Sequence, residues 1–294
     1  MKSKDYTNWD YEQLCQLYFE NTWLRKCVNH EGFEHLWYDY NSKREKLIIR
    51  NLLNNFKYLT LEEAEDLSKS QVCEISSSWG LDPHNTLFIG FARHKYADGS
   101  QVFLNFLKGI LVDNNPGWKE QNLLPKFSDG IARIKAGGFP RSGLILENIV
   151  LVDDFVGSGG TAYKNLLEIK NLIKNLDANY NLYFFSLASM KGAKKVIQPL
   201  SVPFVSCIFL NKGTTLSYPP KYRSKMKKEI KRMERILHNG DEKKKLKDHS
   251  LGWKQSETLY SCTRFNLPNN NYPIFWWNMY RNGKHRKTMF NRMQ

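Results

Sequence analysis

The decisive stretch of this chain reads IVLVDDFVGSGGTA over residues 149–162. An apolar run ends in two adjacent carboxylates, Asp153 and Asp154, and a loop rich in Gly, Ser and Thr separates them from a helical pattern that begins near Tyr163. The two carboxylates are therefore expected at the carboxyl end of a buried strand, where open α/β sheets place their ligands. Because neighbouring strand residues point to opposite faces, both carboxylates can reach one ligand only where the strand is already turning.

The loop after the carboxylates has the composition of an anion-binding turn. Glycines at positions 157, 159 and 160 let the backbone curl closely around an anion, since no Cβ obstructs unusual dihedral angles. Ser158 and Thr161 add hydroxyl donors, and the following helix adds free N–H groups and the positive end of its dipole. Carboxylates can hold the hydroxyls of a ribose, so this element could grip a ribose 5-phosphate from both ends. The alternative interpretation is an ordinary strand–loop–helix turn in which Asp serves as a cap.

The stretch resembles the phosphoribosyl-pyrophosphate (PRPP) motif of type I phosphoribosyltransferases. It has neither the Lys of a Walker A loop nor the G-x-G-x-x-G of a Rossmann fingerprint. The resemblance implies that Asp153 and Asp154 are the catalytic pair and contact the ribose hydroxyls. It also implies that Mg²⁺ is carried by the oxygens of the ligand, with no direct metal ligand from the protein. The ribose-phosphate site implied in this way comprises Asp153, Asp154, Val156, Gly157, Ser158, Gly159, Gly160 and Thr161.

Strand and helix patterns alternate on both sides of the motif. Strands are predicted at residues 86–91, 182–188 and 204–210, and helices at residues 100–112, 161–176 and 191–197. This alternation predicts an α/β fold with a doubly wound, mostly parallel sheet. An N-terminal helical extension over residues 1–80 should precede a core at 85–215. A C-terminal extension at 216–294, with a basic helix and an aromatic cap, should then pack on the core.

Two loops near the motif are further candidates. The resemblance assigns pyrophosphate to the loop after the first core strand, where Arg93 and Lys95 offer cations and the amides near Gly99 and Ser100 offer a second anion site. Solvent-exposed loop charge is the alternative. Residues 113–143 are predicted to be irregular. Family members carry a flexible loop before the PRPP motif, and here Lys135 and Arg141 could meet pyrophosphate, although a plain connector is an equal alternative.

The chain carries a net charge of +15, which favours phosphate-rich partners. Its strongest concentration of Lys and Arg lies at residues 221–247, above an apolar stripe typical of an amphipathic helix. Two interpretations remain open: a solvated basic face, or contact with nucleic acid or another partner through phosphates. The residues assigned to the second interpretation are Lys227, Lys228, Lys231 and Arg232.

A second signature stands near the C-terminus. Gly252 and Ser256 precede the run NLPNNNYPIFWW at residues 266–277. This run resembles the tail of phosphoribosyltransferase-like proteins of bacterial conflict systems, some encoded beside retron reverse transcriptases. Asn269 and Asn270 could line the substrate cleft, whereas an aromatic plug is the preferred interpretation for the two tryptophans. The last residues, from Arg281 to Arg292, are expected to form a basic tail that is poorly ordered without a partner.

Together these patterns favour an enzyme that binds PRPP or a related ribose phosphate with Mg²⁺ and acts at ribose C1. The resemblance implies a role as the toxin effector of an antiphage or retron system, with a reverse transcriptase and RNA–DNA as partners, and a homodimer. The alternative is a subunit that senses ribose phosphate without turnover or that binds nucleic acid. The sequence has no run of eighteen apolar residues, which predicts a protein without membrane contact. Its five cysteines are scattered, which favours the cytoplasm.

Overall fold

The computed structural model describes residues 7–26, 28–92, 98–139, 144–176, 179–240 and 245–293. The α-helices are α1 Asn8–Glu20, α2 His30–Tyr38, α3 Lys43–Leu53, α4 Leu61–Ser78, α5 Gly99–Asn114, α6 Phe127–Lys135, α7 Gly160–Asn175, α8 Lys191–Ile197, α9 Gly213–Ser217, α10 Pro220–Met233 and α11 Leu246–His249. The strands are β1 Lys57–Leu59, β2 Thr86–Ala92, β3 Leu123–Lys126, β4 Gly138–Phe139, β5 Leu144–Ile145, β6 Asn148–Val156, β7 Asn181–Met190, β8 Phe204–Leu210 and β9 Tyr260–Cys262. The 3-10 helices are Thr22–Arg25, Glu120–Asn122, Gln198–Leu200, Glu234–Ile236, Trp253–Gln255 and Pro273–Phe275. Among the described residues, no helix is both long enough and apolar enough to cross a bilayer.

The chain divides into two compact units. The first unit joins Met1–Leu59 to Asn211–Gln294, and the second is Thr60–Leu210. This division differs from the sequence-based regions at α4, which was grouped with the N-terminal helices but belongs to the second unit. There Ser68 of α4 contacts Cys207 of β8, and Trp79 just after α4 stacks on Tyr183 of β7 with 4.5 Å between ring centroids. These side-chain contacts attach α4 to the second unit. The sequence pattern of α4 itself does not show them.

A parallel sheet forms the centre of the second unit. Within the described residues its strand order is β3-β2-β6-β7-β8, and every neighbouring pair is parallel. The apolar runs predicted as strands are buried on both sides, as parallel strands flanked by helices must be. The predicted α/β fold with a doubly wound, mostly parallel sheet is thus confirmed.

Helices cover both faces of this sheet. On one face, Phe103 of α5 contacts Phe185 of β7. On the other, α6, α7 and α8 bury apolar side chains such as Leu166 and Ile197 against the alternate strand residues, among them Ile149 and Phe184. Successive residues of each strand therefore contact the two helix layers in alternation. By the same alternation, Asp153 and Asp154 at the end of β6 start from opposite faces of the sheet.

The segment 113–143 was wrongly predicted to be irregular. It contains β3 at the edge of the sheet, followed directly by α6. Pro125 weakens the strand pattern of β3, since a proline cannot donate to a ladder and is tolerated only at an edge. Gly130 weakens the helix pattern of α6, yet a Cβ there would crowd Ile89 of β2, so glycine lets the helix approach the sheet.

The first unit has an aromatic core. Helix α2 contributes Trp37 to this core, and the turn between α2 and α3 contributes Tyr40. The C-terminal segment contributes Trp276 and Trp277, which are 1% and 4% exposed. Strand β1 pairs in parallel with β9, which joins the two segments of the unit. The interpretation of Trp276 and Trp277 as packing residues agrees with their burial in this core.

Three residues of the second sequence signature, Gly252, Ser256 and Asn270, contact one another. The Ser256 hydroxyl donates to the carbonyl oxygen of Asn270 (3.0 Å) and accepts from the Asn270 side-chain amide (3.1 Å). Gly252 has φ +82°, and a Cβ there would overlap the same carbonyl oxygen. Asn270 is 7% exposed, and its side chain is committed to this contact. Gly252, Ser256 and Asn270 are thus accounted for by packing, and the structure gives Asn270 a structural role in place of the suggested cleft lining.

The expectation of a poorly ordered basic tail is wrong. Arg286 is fully buried, and its guanidinium donates to the Asp39 carboxylate (2.8 Å) and to the carbonyl oxygens of Ile274 (2.8 Å) and Trp277 (3.2 Å). Met289 and Phe290 join the core of the first unit. Charge alone suggested a solvated tail, but a planar guanidinium can be buried when a carboxylate and carbonyl groups satisfy its donors.

Candidate functional site

The site lies where the sheet topology changes direction. From β2 the chain goes to β3 on one side, whereas from β6 it continues through β7 to β8 on the other. Strands β2 and β6 are neighbours, so the loops after their carboxyl ends diverge and leave a crevice between them. Helices α5 and α7 begin beside this crevice, and both point their N-termini toward it.

Asp153 and Asp154 end β6 at this crevice, and both are half-buried. Asp153 lies in register with Ser186 of β7, and the backbone amide of Asp154 donates to the Asp153 Oδ1 (3.1 Å). The two carboxyl groups are within hydrogen-bonding reach of each other although they start from opposite faces. The strand is therefore already turning at these two residues. Both carboxylates can reach one ligand only if it does, because neighbouring strand residues otherwise point to opposite faces.

The surroundings of Asp153 and Asp154 disfavour the state in which both carboxyl groups are ionised. Burial raises the pKa of Asp154 to about 6, and the charge of Asp98 adds to the rise. Burial also raises the pKa of Asp153 well above its ordinary value, with further contributions from the charges of Asp154 and Asp98. The carboxyl groups of Asp98, Asp153 and Asp154 thus lie close together at one crevice. Such a group favours hydroxyl donors or a cation as its ligand.

Asp154 lies against the first turn of α5. A Cβ on Gly99 would overlap both carboxylate oxygens of Asp154. Only a residue without a side chain lets the first turn of α5 and the end of β6 approach this closely. The contact fixes the position of Asp154 and joins the two loops that border the crevice.

Asp98 is a residue of the site that the sequence analysis missed. It caps α5: its Oδ1 accepts from the amide of Ser100 (2.9 Å) and from the Ser100 hydroxyl (2.6 Å). Gln101 completes a capping box, with its amide donating to Asp98 (3.4 Å) and its side chain accepting from the Asp98 amide (3.3 Å). The D-x-x-Q spacing at residues 98–101 is the signal that could have revealed it.

The loop from Gly157 to Thr161 leads into the first turn of α7. Gly159 is the N-cap with φ +80°, and in the described part of the chain no side chain caps this helix. Gly159 also packs close to Ala193 at the start of α8, and this contact helps to hold the loop in place. Thr161 is exposed, and Gly157, Ser158 and Gly160 are half-buried. The loop therefore presents amides and hydroxyls, as an anion site requires.

Other predicted site residues have different positions. Val156 is 3% exposed in the apolar core, so only its backbone could face a ligand. Arg93, Lys95 and Arg141 lie outside the described residues. Ser100 is 2% exposed and its amide already has an acceptor, and Lys135 is exposed at the end of α6.

The predicted basic surface lies on α10, in the first unit. Lys228, Lys231 and Arg232 are exposed, in agreement with a solvated basic face. Lys227 differs from them, because its Nζ lies 2.6 Å from the carboxylate of the fully buried Glu257. Lys227 therefore neutralises a charge of its own unit, and the surface available to a partner is formed by the other three residues.

Gly99→Ala should damage the site, and Gly109→Ala in the same helix is its matched control. The new Cβ at residue 99 would displace the Asp154 carboxylate, whereas the position at 109 faces open space. We expect Gly99→Ala to lower the free energy of unfolding by about 1–3 kcal/mol, and Gly109→Ala to raise it by up to about 1 kcal/mol. Urea titration of both variants measures the difference. Equal effects of the two substitutions would contradict the contact.

Asp154→Asn should stabilise the protein at neutral pH. Because the pKa of Asp154 is raised to about 6 from 3.8, folding favours the protonated carboxyl; this contribution is complete below about pH 4 and is lost as the pH rises through 6. At pH 7 the variant should therefore be more stable by about 1–2 kcal/mol. The gain should vanish near pH 4. Urea unfolding at both pH values tests this, and a variant less stable at pH 7 would refute the charge burial.

The family of this chain follows from a comparison with known proteins. The family model PRTase-CE matches residues 22–292. A search of curated proteins finds no match. Similar solved structures include an orotate phosphoribosyltransferase from Aeropyrum pernix (18% identity, TM-score 0.27, covering 52% of this chain and 70% of that one). Another is a hypothetical protein from Neisseria gonorrhoeae with bound ppGpp (14% identity, TM-score 0.35, covering 53% and 85%). Because the family model spans most of its length, the chain belongs to the PRTase-CE family and is a phosphoribosyltransferase-like protein.

Proposed function

We propose that this protein is an enzyme that binds PRPP or a related ribose phosphate and acts at ribose C1. The observation that carries the proposal is the convergence of Asp153 and Asp154 at one crevice with the first turn of α7, to which no side chain of the described residues supplies a cap. The carboxylates would accept hydrogen bonds from the ribose hydroxyls. The amides of residues 157–161 would hold the 5-phosphate, which the helix dipole also favours.

Catalysis at C1 would be mainly electrostatic. As a bond to C1 breaks, positive charge develops on the ribose ring, and a nearby pair of carboxylates stabilises that charge. Asp153 and Asp154 are half-buried, so water screens their charges less than it would at the surface. Their preorganisation by Gly99 and by the Asp154 amide holds both groups in place before the reaction.

Mg²⁺ is part of the proposal as an ion bound to the ligand. The described residues contain no group of three His, Cys, Asp or Glu side chains that could hold a metal. The carboxyl groups of Asp153 and Asp154 lie together at the crevice with Asp98 nearby, so this pair fits a cation that arrives with the ligand. The ion would supply positive charge to the leaving group.

A role in bacterial defence is the second part of the proposal. Membership of the PRTase-CE family and the C-terminal signature at residues 266–277 support it. In this role the protein would be the toxic effector of an antiphage or retron system, working beside a reverse transcriptase. Depletion of a nucleotide pool would be a plausible toxic outcome of chemistry at ribose C1.

Calorimetric titration with ribose 5-phosphate and with PRPP and Mg²⁺ tests the ligand site. The variant Asp153→Asn/Asp154→Asn keeps the size of both side chains and removes their charge. We expect binding by the unaltered protein and at least a ~10-fold loss of affinity in the variant, because each carboxylate loses charge-assisted hydrogen bonds to the ribose hydroxyls. Undiminished binding of these ligands by the variant would exclude the proposed site.

A nucleic-acid-binding subunit is the alternative, favoured by the exposed cations of α10. Lys228→Gln/Lys231→Gln/Arg232→Gln should weaken binding to duplex nucleic acid and lower the slope of log affinity against log salt by up to about 3. The matched control is Lys119→Gln/Lys174→Gln/Lys195→Gln, which removes the same charge from exposed positions of the second unit. Equal losses in both variants would show that net charge alone attracts nucleic acid.

A further inference from the structure

A buried hydroxyl on β7 has no hydrogen-bond partner in the part of the chain that the structure describes. It belongs to Ser186, whose side chain is fully buried. Burial of an unpaired hydroxyl is unfavourable for folding, because the group gives up its hydrogen bonds to water and forms none in their place. Such groups are rare in folded proteins, and their retention is understandable where the hydroxyl serves a ligand site.

Two other buried serines of the same sheet are satisfied by nearby carbonyl oxygens. The Ser189 hydroxyl, also on β7, donates to the carbonyl oxygen of Met190 (3.1 Å). The Ser206 hydroxyl on β8 donates to the carbonyl oxygen of Ile208 (2.9 Å). A buried serine in this sheet can therefore bond to its own strand. Ser186 does not do so, and its hydroxyl is available as a donor.

Ser186 lies beside Asp153. The two residues are in register on neighbouring parallel strands. They hold the same place in the strand alternation as Ile149 and Phe184, so both side chains start from the sheet face that α6, α7 and α8 cover. Neighbouring strands are about 4.8 Å apart, and rotation about χ1 moves a serine hydroxyl between staggered positions. Such a rotation brings the Ser186 hydroxyl within reach of the Asp153 carboxyl group.

The contacts of Asp153 in this structure are with Asp154. Its Oδ1 accepts from the Asp154 amide (3.1 Å), and the two carboxyl groups hydrogen-bond to each other. Burial raises the pKa of Asp153 well above its ordinary value, so an additional donor would favour the ionised carboxylate. A ribose bound on both carboxyl groups would take the place of their mutual contact. The ionised Asp153 would then need a donor from its own side of the sheet.

We propose that Ser186 is a positioning residue of the ribose-phosphate site: its hydroxyl donates to the Asp153 carboxylate when the ribose is bound and holds it toward the ribose hydroxyls. A hydrogen bond to a charged acceptor is stronger than one to a neutral acceptor, so it stabilises the form of Asp153 that faces a developing ribosyl cation. Ser186 acts through Asp153 and does not touch the ligand. This inference rests on the proposed function, and it adds to that site a residue outside the motif at residues 149–162.

Calorimetry on the full-length protein tests the inference, with ribose 5-phosphate and PRPP, each with Mg²⁺, as probes. Ser186→Ala should weaken binding about 10-fold, as expected for the loss of one charge-assisted hydrogen bond. Its midpoint of urea unfolding should stay the same or rise, because the variant removes an unpaired hydroxyl. In the Asp153→Asn background, Ser186→Ala should cost no further affinity, because the charge through which it acts is gone.

Ser206→Ala is the matched control. It removes a buried hydroxyl at the same register position of the next strand, one strand further from Asp153. That hydroxyl already has its acceptor in the carbonyl oxygen of Ile208. We therefore expect the opposite result, a lower urea midpoint with unchanged affinity for both probes.

Unchanged affinity in Ser186→Ala would overturn the inference. A lower urea midpoint in that variant would overturn it as well, because the hydroxyl would then already be bonded within the fold. If Asp153→Asn/Asp154→Asn weakens binding and Ser186→Ala does not, the proposed function stands without Ser186. If neither probe binds the unaltered protein, or if binding does not depend on the two carboxylates, the proposed function fails and this inference fails with it.

Discussion

The contact between the Asp154 carboxylate and the first turn of α5 constrains the whole candidate site. It requires glycine at position 99, and it brings the loops after two neighbouring strands together. It also places Asp98 close enough to raise the pKa values of Asp153 and Asp154. Burying like charges in this way is unfavourable for folding, so the arrangement is understandable as a feature kept for ligand binding.

Local patterns made much of the second unit predictable from the sequence. Strand β6 is an apolar run that ends in carboxylates, and the helical pattern at residues 161–176 predicted α7. Strand β3 was missed because it is short and contains Pro125. Asp98 was missed because its D-x-x-Q spacing indicates only a helix cap, whereas its proximity to Asp154 depends on the pairing of β2 with β6, which local sequence does not show.

The two sequence signatures have different physical roles. The motif at residues 149–162 supplies groups that face a crevice, whereas Gly252, Ser256 and Asn270 satisfy one another inside the first unit. The burial of Arg286 could not be predicted from its neighbours, because its carboxylate partner, Asp39, is remote in sequence. The motif at residues 149–162 was therefore easier to interpret from the sequence than the packing signature, whose role depends on contacts between distant segments.

The paired aromatic rings of Phe56 and Phe290 have a consequence for the order of folding. They stack at 5.1 Å in the first unit, although the whole second unit separates them along the chain. During synthesis the ribosome completes residues 60–210 before Phe290 exists, so the sheet can form while the aromatic core still lacks one of its two segments. Folding of the sheet then shortens the effective loop that the first unit must close, which lowers the entropic barrier to closure. The second unit can therefore complete its fold before the first unit does.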